Sequence, residues 1–257
     1  MNVYFYKVWL PLHLIFFLSI PLIFSNTIEV NWLVVVCSWI LIGPVGLGVG
    51  FHRLFSHRQF ETYRPIEITL AILGTLSCYS PILFWIGQHQ THHKKADSLE
   101  DVQTPKHGFL ESFLMWRLRE GIEKEINPRD FCTRKIMRDQ LLMKIGNNTI
   151  SIIYVWAIFL LLISPSALFS VLIIPAIIES FRINLINYYG HKAGIFSYRN
   201  FDTQDSSFNN LLLGLFGFGV GWHNNHHANP QELINKKNWW EIDLEGLIGK
   251  LLSKKII

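Results

Sequence analysis

Long stretches without a charged side chain limit the fold of this sequence more than any other feature. Residues 145–178 contain no charged residue over 34 positions, and Ser164-Pro165-Ser166 interrupts the stretch. Proline breaks a helix, and a helix needs roughly 20 apolar residues to cross a bilayer. The stretch therefore predicts a helical hairpin made of two membrane spans, at about 148–163 and 167–190.

Two further apolar stretches, 8–28 and 30–51, are each long enough for one crossing. Half of all residues are hydrophobic and only 16% are charged, which is typical of a membrane protein. The first stretch has no small-residue cleavage site after it, so we expect a retained span rather than a signal peptide. The sequence predicts an all-α membrane protein with four transmembrane helices in a single domain over residues 1–257.

A fifth apolar stretch, 68–88, is not predicted to cross the membrane. His52 and His57 precede this stretch, and a second histidine cluster begins at His89 directly after it. One crossing would place the two clusters on opposite faces, and two crossings need about 40 residues. We therefore expect residues 68–88 to lie in the interface plane or to pack against the helix bundle.

Lysine and arginine residues predict the orientation. Residues 52–144 carry fourteen of them and the C-terminal tail carries seven more, whereas the connections near Glu29 and at 164–166 carry none. The positive-inside rule then places both termini in the cytoplasm, together with residues 52–147 and 191–257. These two regions are predicted to form a helical cap that holds every histidine cluster, with residues 111–144 as surface helices.

Histidines cluster at the predicted cytoplasmic ends of the spans. Neutral imidazole is the commonest metal ligand in proteins, and positions i, i+3 and i+4 share one face of a helix, so the motif HxxHH directs its side chains at one centre. The pair at 52 and 57 can converge where its helix end is distorted. The predicted ligands are His52, His57, His89, His92, His93, His191, His223, His226 and His227.

Nine ligands exceed the needs of one octahedral ion, so two ions are predicted. The three cysteines show no CxxC spacing, which argues against a thiolate site, and ligation by histidine suits iron, zinc or copper. The remaining histidines are excluded, because His13 lies within the first span and His107 lies in a predicted turn.

The order of these motifs resembles that of the membrane fatty acyl desaturases, specifically the acyl-CoA Δ9 (stearoyl-CoA) desaturase type. The similarity rests on HRLFSHR at 52–58, HQTHH at 89–93, NYYGH at 187–191 and GWHNNHH at 221–227, and it covers nearly the whole chain. Asp97, Asp101 and the segment 200–205 add matching context.

The resemblance implies two iron ions held by the nine histidines, with Asn187 contacting one iron through water. It implies no catalytic side chain beyond the metal centre, O2 as co-substrate, and a cis double bond introduced into a saturated acyl chain. It also implies a narrow apolar tunnel for that chain, and we expect Val36 and Ile40 on the second span to lie near the tunnel end.

Three departures from the family pattern concern the shape of this tunnel. Gly219-Val220-Gly221 replaces the usual Gly-Glu-Gly, and Asn184 stands where animal enzymes have tryptophan. Glu179 and Arg182 lie at membrane depth in the fourth span, where ionisable residues are functional candidates. An ion pair between positions i and i+3 is the alternative that we favour for these two.

The expected partners are a fatty acyl substrate, with acyl-CoA favoured, membrane lipid, and a separate electron donor such as cytochrome b5 or a ferredoxin with its reductase. No nucleic-acid partner is expected, and the tails and residues 111–144 are candidate docking surfaces for the donor. Alternative readings are a desaturase acting on acyl lipids or acyl-carrier protein, a related membrane di-iron hydroxylase, and a non-enzymatic membrane metal-binding protein.

Overall fold

The helices of this chain follow the apolar stretches of the sequence. The computed structural model describes residues 2–118, 132 and 134–257. In chain order the main helices are α1 (Phe5–Phe24), α2 (Trp32–His57), α3 (Arg64–Leu76), α4 (Ile82–Lys95), α5 (Phe109–Phe113), α6 (Arg134–Arg138), α7 (Gln140–Asn147), α8 (Thr149–Ile163), α9 (Pro165–Tyr189), α10 (Leu211–Phe216), α11 (His223–Ala228) and α12 (Leu244–Leu252).

Three of these helices, α1, α2 and α9, are each long and apolar enough to cross a membrane. The helices α7 and α8 pass the same test only as a pair, bent by 68° where they meet. The hairpin turn falls at Ser164, whose hydroxyl caps α9 by accepting a hydrogen bond from the N–H of Ala167. The chain is therefore mostly helical, with three candidate spans, or four if the bent pair is one span, where the sequence predicts four.

The stretch 68–88 forms two shorter helices, α3 and α4, of 13 and 14 residues. Between them Cys78 has a left-handed backbone with φ of 55°, and Pro81 precedes the first turn of α4. The helix α3 packs closely along α2. A Cβ atom added to Gly46 on α2 would lie only 2.5 Å from the backbone nitrogen of Gly74 on α3. Small residues at such crossings let two helix backbones approach.

Short β pairings add to the helices. Phe60–Glu61 (β1) pairs with Lys255–Ile256 (β4), and Ser197–Tyr198 (β2) pairs with Asn209–Asn210 (β3), both antiparallel. The first pairing ties the chain just after His57 to the C-terminal segment. The prediction of an all-α fold thus needs this small correction.

The predicted surface helices at 111–144 are only partly surface elements. Trp116 and Arg117 are fully buried, and the Arg117 guanidinium lies 4.3 to 5.1 Å from the ring centres of Trp9, Tyr79 and Trp116. Residues 119–131 and 133, part of the proposed docking surface, lie outside the described residues.

Candidate metal centre

The nine predicted ligand histidines come together in two groups. One group has five members and the other has four, and within each group one nitrogen per residue lies within 4.8 Å of all the others. The five are His52, His57, His89, His93 and His226, and the four are His92, His191, His223 and His227.

Local helix geometry brings these side chains together. The last 17 residues of α2 wind as a wide helix with π-type turns, and so the rings of His52 and His57 reach a centroid distance of 4.9 Å. On α4, His89 and His93 share one face and serve the five-histidine group, whereas His92 points to the four-histidine group. The HxxHH motif is thus divided between the two groups rather than directed at one centre.

Distances between ring nitrogens match the edges of a coordination shell. The Nε2 atom of His226 lies 3.0 Å from Nε2 of both His52 and His93, and in the other group Nε2 of His191 lies 3.0 Å from Nε2 of both His92 and His223. Ligands at right angles with metal–nitrogen bonds of about 2.1 Å would lie about 3.0 Å apart.

Hydrogen bonds alone cannot account for these distances. A ring nitrogen of a neutral imidazole carries either one proton or one lone pair, so Nε2 of His226 cannot pair with two neighbours at once. Nε2 of His227 is buried and has no hydrogen-bond partner among the residues that the structure describes. A cation at the centre of each group would satisfy all these nitrogens, so the donor set fits a metal ion.

Carboxylates orient three of the four histidines in the smaller group. Nδ1 of His92 lies 2.8 Å from Asp101, and Nδ1 of His227 lies 2.7 Å from Asp205. Nδ1 of His191 lies 3.4 Å from Asp97. A carboxylate that accepts the Nδ1–H proton leaves the Nε2 lone pair free for a metal.

Burial holds most of these imidazoles in the neutral form that binds metal. Among the histidines outside the candidate spans, desolvation, followed by repulsion between neighbouring imidazoles, lowers the pKa values of five well below the usual range: His89, His93, His223, His226 and His227. His92 differs, because burial lowers its pKa but the carboxylates of Asp101, Asp97 and Asp205 together more than offset this and the net pKa is raised.

The two asparagines inside HNNHH hold α11 in place. Asn224 accepts hydrogen bonds from the N–H groups of Asn200 and Phe201 at 2.8 and 2.9 Å. The side-chain oxygen of Asn225 accepts from Asn209, and its amide donates to Glu241. These contacts explain why the segment 200–205 accompanies the motif: it fixes the helix that carries three ligands.

An apolar pocket borders both histidine groups. It is lined by His52 and His89 from one group and His223 from the other, and by Leu47, Gly48, Trp85, Arg182, Ile183, Ile186, Asn187 and Val220. Asn187, predicted to contact a metal through water, thus lies beside the histidines. Val36 and Ile40 are not part of this lining, and the Val36 side chain is 46% exposed on the outer surface of α2.

The two excluded histidines lie in neither group. His13 is buried in α1, where its ring stacks on Trp9 at 3.8 Å and its Nδ1 lies 2.7 Å from the Trp9 carbonyl oxygen. His107 lies in the turn Pro105–His107.

Glu179 and Arg182 form the ion pair that the sequence suggests, within a larger network. Arg182 bonds both carboxylate oxygens of Glu179 at 2.8 Å and also donates to Glu245 at 2.8 Å. Asn184, a departure from the family pattern, accepts a hydrogen bond from the Tyr79 hydroxyl. Sequence reasoning missed Glu245, because 63 positions separate it from Arg182 and no local motif marks it.

Sequence reasoning also gave no role to Arg53 and Asp243. Arg53 follows the first ligand and is fully buried, and its guanidinium donates two hydrogen bonds to Asp243 at 2.8 and 3.0 Å. Asp243 in turn accepts from the N–H of Asn235, whose side chain lies 3.4 Å from Nδ1 of His226. The segment before α12 is thereby fixed against the end of α2.

Sequence comparisons with known proteins match the part of the chain that carries both histidine groups. The profile of the fatty acid desaturase family matches residues 30–244. The chain is 32% identical over 217 residues to the sn-1 stearoyl-lipid 9-desaturase of Synechocystis sp., covering 84% of this chain and 66% of that relative, just under two thirds.

Two other relatives differ in the acyl carrier that their names give. One is a hex-5-enoyl acyl-carrier-protein acetylenase of Moorena producens, 28% identical over 85% of this chain and 72% of the relative. The other is an icosanoyl-CoA 5-desaturase of Limnanthes douglasii, 28% identical over 86% of this chain and 62% of the relative.

Proposed function

Because the chain belongs to the fatty acid desaturase family of enzymes, we propose that it is an O2-dependent di-iron desaturase that introduces a cis double bond at Δ9 of a saturated fatty acyl chain. The acyl chain loses two hydrogen atoms, which amount to two protons and two electrons, and a donor protein supplies two more electrons. Together with two protons from solvent, these reduce one O2 to two waters, so atoms and electrons balance.

One observation carries this proposal: two adjoining histidine groups, with nitrogens at coordination spacing, border a pocket with apolar walls. No protein side chain removes hydrogen from an unactivated methylene, so this chemistry must come from a metal or cofactor. When bound, the iron pair would supply O2 activation. The five-histidine and four-histidine groups would each hold one ion, with Asn187 in the lining of the pocket that borders both groups.

The residues of the chain would position the substrate and keep water out. Leu47, Trp85 and Ile186 are buried and line the pocket beside the histidines, so methylene groups there would exchange water for apolar contact. Asp101 and Asp205 would hold the Nδ1 protons of two ligands, which keeps the imidazoles in one tautomer and one orientation.

The group that carries the acyl chain differs among the candidate substrates. The motif order favours acyl-CoA, while the relatives are named for acyl lipid, acyl-carrier protein and acyl-CoA substrates. We propose acyl-CoA as the first carrier to test and a separate electron donor protein. The orientation with both termini and the histidines in the cytoplasm belongs to the same proposal, supported by the distribution of lysine and arginine.

The experiment is expression in a host that lacks its own desaturase, followed by analysis of the total fatty acids and mapping of the double bond. We expect a new cis monounsaturated acid with its bond at Δ9, and none from cells expressing His226→Ala. A hydroxylated acid would show a hydroxylase instead. Unchanged acids from a well-expressed, iron-loaded protein would favour a non-enzymatic metal-binding role. Purified protein given stearoyl groups on each carrier in turn would identify the carrier.

A further inference from the structure

A buried ionic network lies beneath the pocket that borders the histidines. Three of its members, Glu179 and Arg182 on α9 and Glu245 on α12, are here called the ionic floor. Arg182 makes four hydrogen bonds of 2.8 to 2.9 Å: two to Glu179, one to Glu245 and one to the Gly217 carbonyl oxygen. All three side chains are at least nine-tenths buried.

The ionic floor fills the space between α9 and α2. A Cβ atom added to Gly43 would lie 2.2 Å from the Glu179 carboxylate, and one added to Gly48 would lie 2.2 Å from the Glu245 carboxylate. The two carboxylates therefore pack directly against the backbone of α2. Trp39, also on α2, donates its indole N–H to Glu179 at 3.1 Å. An alkyl chain descending between these helices would meet charged groups rather than a continuing apolar channel.

The distance from the histidine side of the pocket down to the ionic floor can be measured along α9. Arg182 and Asn187 both line the pocket, and five residues separate them, which is about 7.5 Å along a helix at about 1.5 Å per residue. An extended alkyl chain advances about 1.3 Å per carbon, given bonds of about 1.5 Å. With the new double bond placed level with Asn187, about six carbons would fit in that distance, whereas the roughly eight carbons beyond a Δ9 bond of a stearoyl chain need about 10 Å.

The methyl terminus of a substrate does not displace the floor, since it offers no hydrogen bond in return. Displacing Arg182 would leave the Glu179 carboxylate buried without its two charge-assisted partners, which is strongly unfavourable. The chain end would instead stop above the guanidinium.

We propose that the ionic floor sets the length of the acyl tail beyond the new double bond, so that palmitoyl and shorter chains are preferred to stearoyl. This inference rests on the proposed function. It also places the end of the pocket at Arg182 instead of at Val36 and Ile40, the residues that the sequence suggests. Both of these lie before Gly43 on α2, beyond the point where Glu179 meets that helix.

The first test uses the unaltered, iron-loaded protein and a series of saturated acyl substrates from lauroyl to icosanoyl. We expect the most product from myristoyl or palmitoyl groups, with stearoyl about tenfold lower, the order expected when one or two methylenes do not fit an apolar pocket. A maximum at stearoyl or icosanoyl would overturn the inference.

The second test removes the floor. The double variant Glu179→Ala/Arg182→Ala, which eliminates the pair together, should raise the ratio of stearoyl to palmitoyl product roughly tenfold. Ile40→Ala should leave that ratio unchanged. Leu33→Ala, at an exposed position on α2, is the control for effects of mutation, expression and purification on the measured ratio. A shift in Ile40→Ala with none in the double variant would refute the floor. If the double variant does not fold, the substrate series of the unaltered protein still decides.

A binding measurement separates this inference from the proposed function. Saturated acyl ligands of the same lengths should raise the thermal unfolding midpoint of the purified protein most at myristoyl or palmitoyl. If no length gives product but stabilisation peaks there, the proposed function fails and the floor stands. Stabilisation that continues to rise through stearoyl and icosanoyl would refute the proposed role of the ionic floor, whatever the products are.

Discussion

Asp205 holds a carboxylate oxygen 2.7 Å from Nδ1 of His227, the last histidine of the chain. Burial tends to raise the pKa of Asp205, but hydrogen bonds from Ser207 and Thr203 lower it overall, so this carboxylate stays ionised. Asp101 stands in the same relation to His92. Both pairs belong to the four-histidine group, where ligand orientation thus depends on acidic partners.

Asp205→Asn should weaken metal binding without removing a ligand. Loss of a carboxylate partner to a ligating histidine typically costs roughly 10- to 100-fold in metal affinity or activity. Iron per chain after dialysis against a chelator series would measure this. Asp202→Asn is the matched control, because the Asp202 side chain is fully exposed on the same segment. Equal iron retention in both variants would show that the carboxylate does not support the site.

Removal of one ligand from either histidine group should abolish activity. His92→Ala takes a ligand from the four-histidine group and His226→Ala takes one from the five-histidine group. We expect bound iron to fall in each variant and desaturation to drop below detection. His107→Ala, which touches neither group, should keep both iron and product. Full activity in His92→Ala or His226→Ala would contradict the assignment of two ions.

Gly46→Ala should destabilise the packing of α3 on α2. The added methyl would lie 2.5 Å from the Gly74 nitrogen and 2.5 Å from the Leu73 carbonyl carbon, both backbone atoms that cannot move alone. Overpacking of this kind costs about 1 to 3 kcal/mol. The thermal unfolding midpoint in detergent would report it. Gly194→Ala is the control, because the atom nearest to its added methyl lies at an ordinary 3.7 Å. Equal unfolding midpoints in the two variants would argue against the close crossing of α2 and α3.

The stability of the protein should depend on pH through Glu245. Burial raises the pKa of this carboxyl from 4.5 to about 7, against the attraction of Arg182 and Arg53. Between these two values the folded protein keeps a proton that the unfolded chain has lost, so the free energy of unfolding falls as pH rises through that window. The loss approaches about 3 kcal/mol above pH 7.

Glu245→Gln removes this titration. The difference in unfolding midpoint, variant minus unaltered protein, should therefore grow from pH 5 to pH 8. Parallel curves for the two proteins would mean that Glu245 does not change its protonation in the folded state.

The sequence predicted the helical fold and the set of histidines that come together, because both depend on local patterns. Apolar stretches mark the helices that can cross a membrane, and histidine spacing marks the ligands, since a helix places i, i+3 and i+4 on one face. The division of each HxxHH motif between two groups could not be predicted, because it depends on how α4 and α11 face each other.

Contacts between distant positions were also beyond the sequence. Arg53 and Asp243 are 190 positions apart, and nothing in either local pattern identifies the other as partner. The interruption between α3 and α4 at 77–81 was not predicted either. Cys78 has a left-handed backbone there, and the sequence has no glycine at this position to indicate one. The placement of the pocket end at Val36 and Ile40 on α2 stays a prediction, and our proposal puts it instead at charged groups of α9 and α12, which no local pattern of the sequence brings together.

The five-histidine group joins His52 to His226 across 174 positions. During synthesis, the ribosome makes α1, α2 and α9 before the last three ligands exist as peptide. If these helices span the membrane and the two groups hold iron, as proposed, the early spans could enter the bilayer with an incomplete ligand set, and neither ion could be fully enclosed until α11 had folded. Under that proposal iron would be bound completely only after membrane insertion, and a cell short of iron would accumulate an inserted, metal-free protein rather than a failed insertion product.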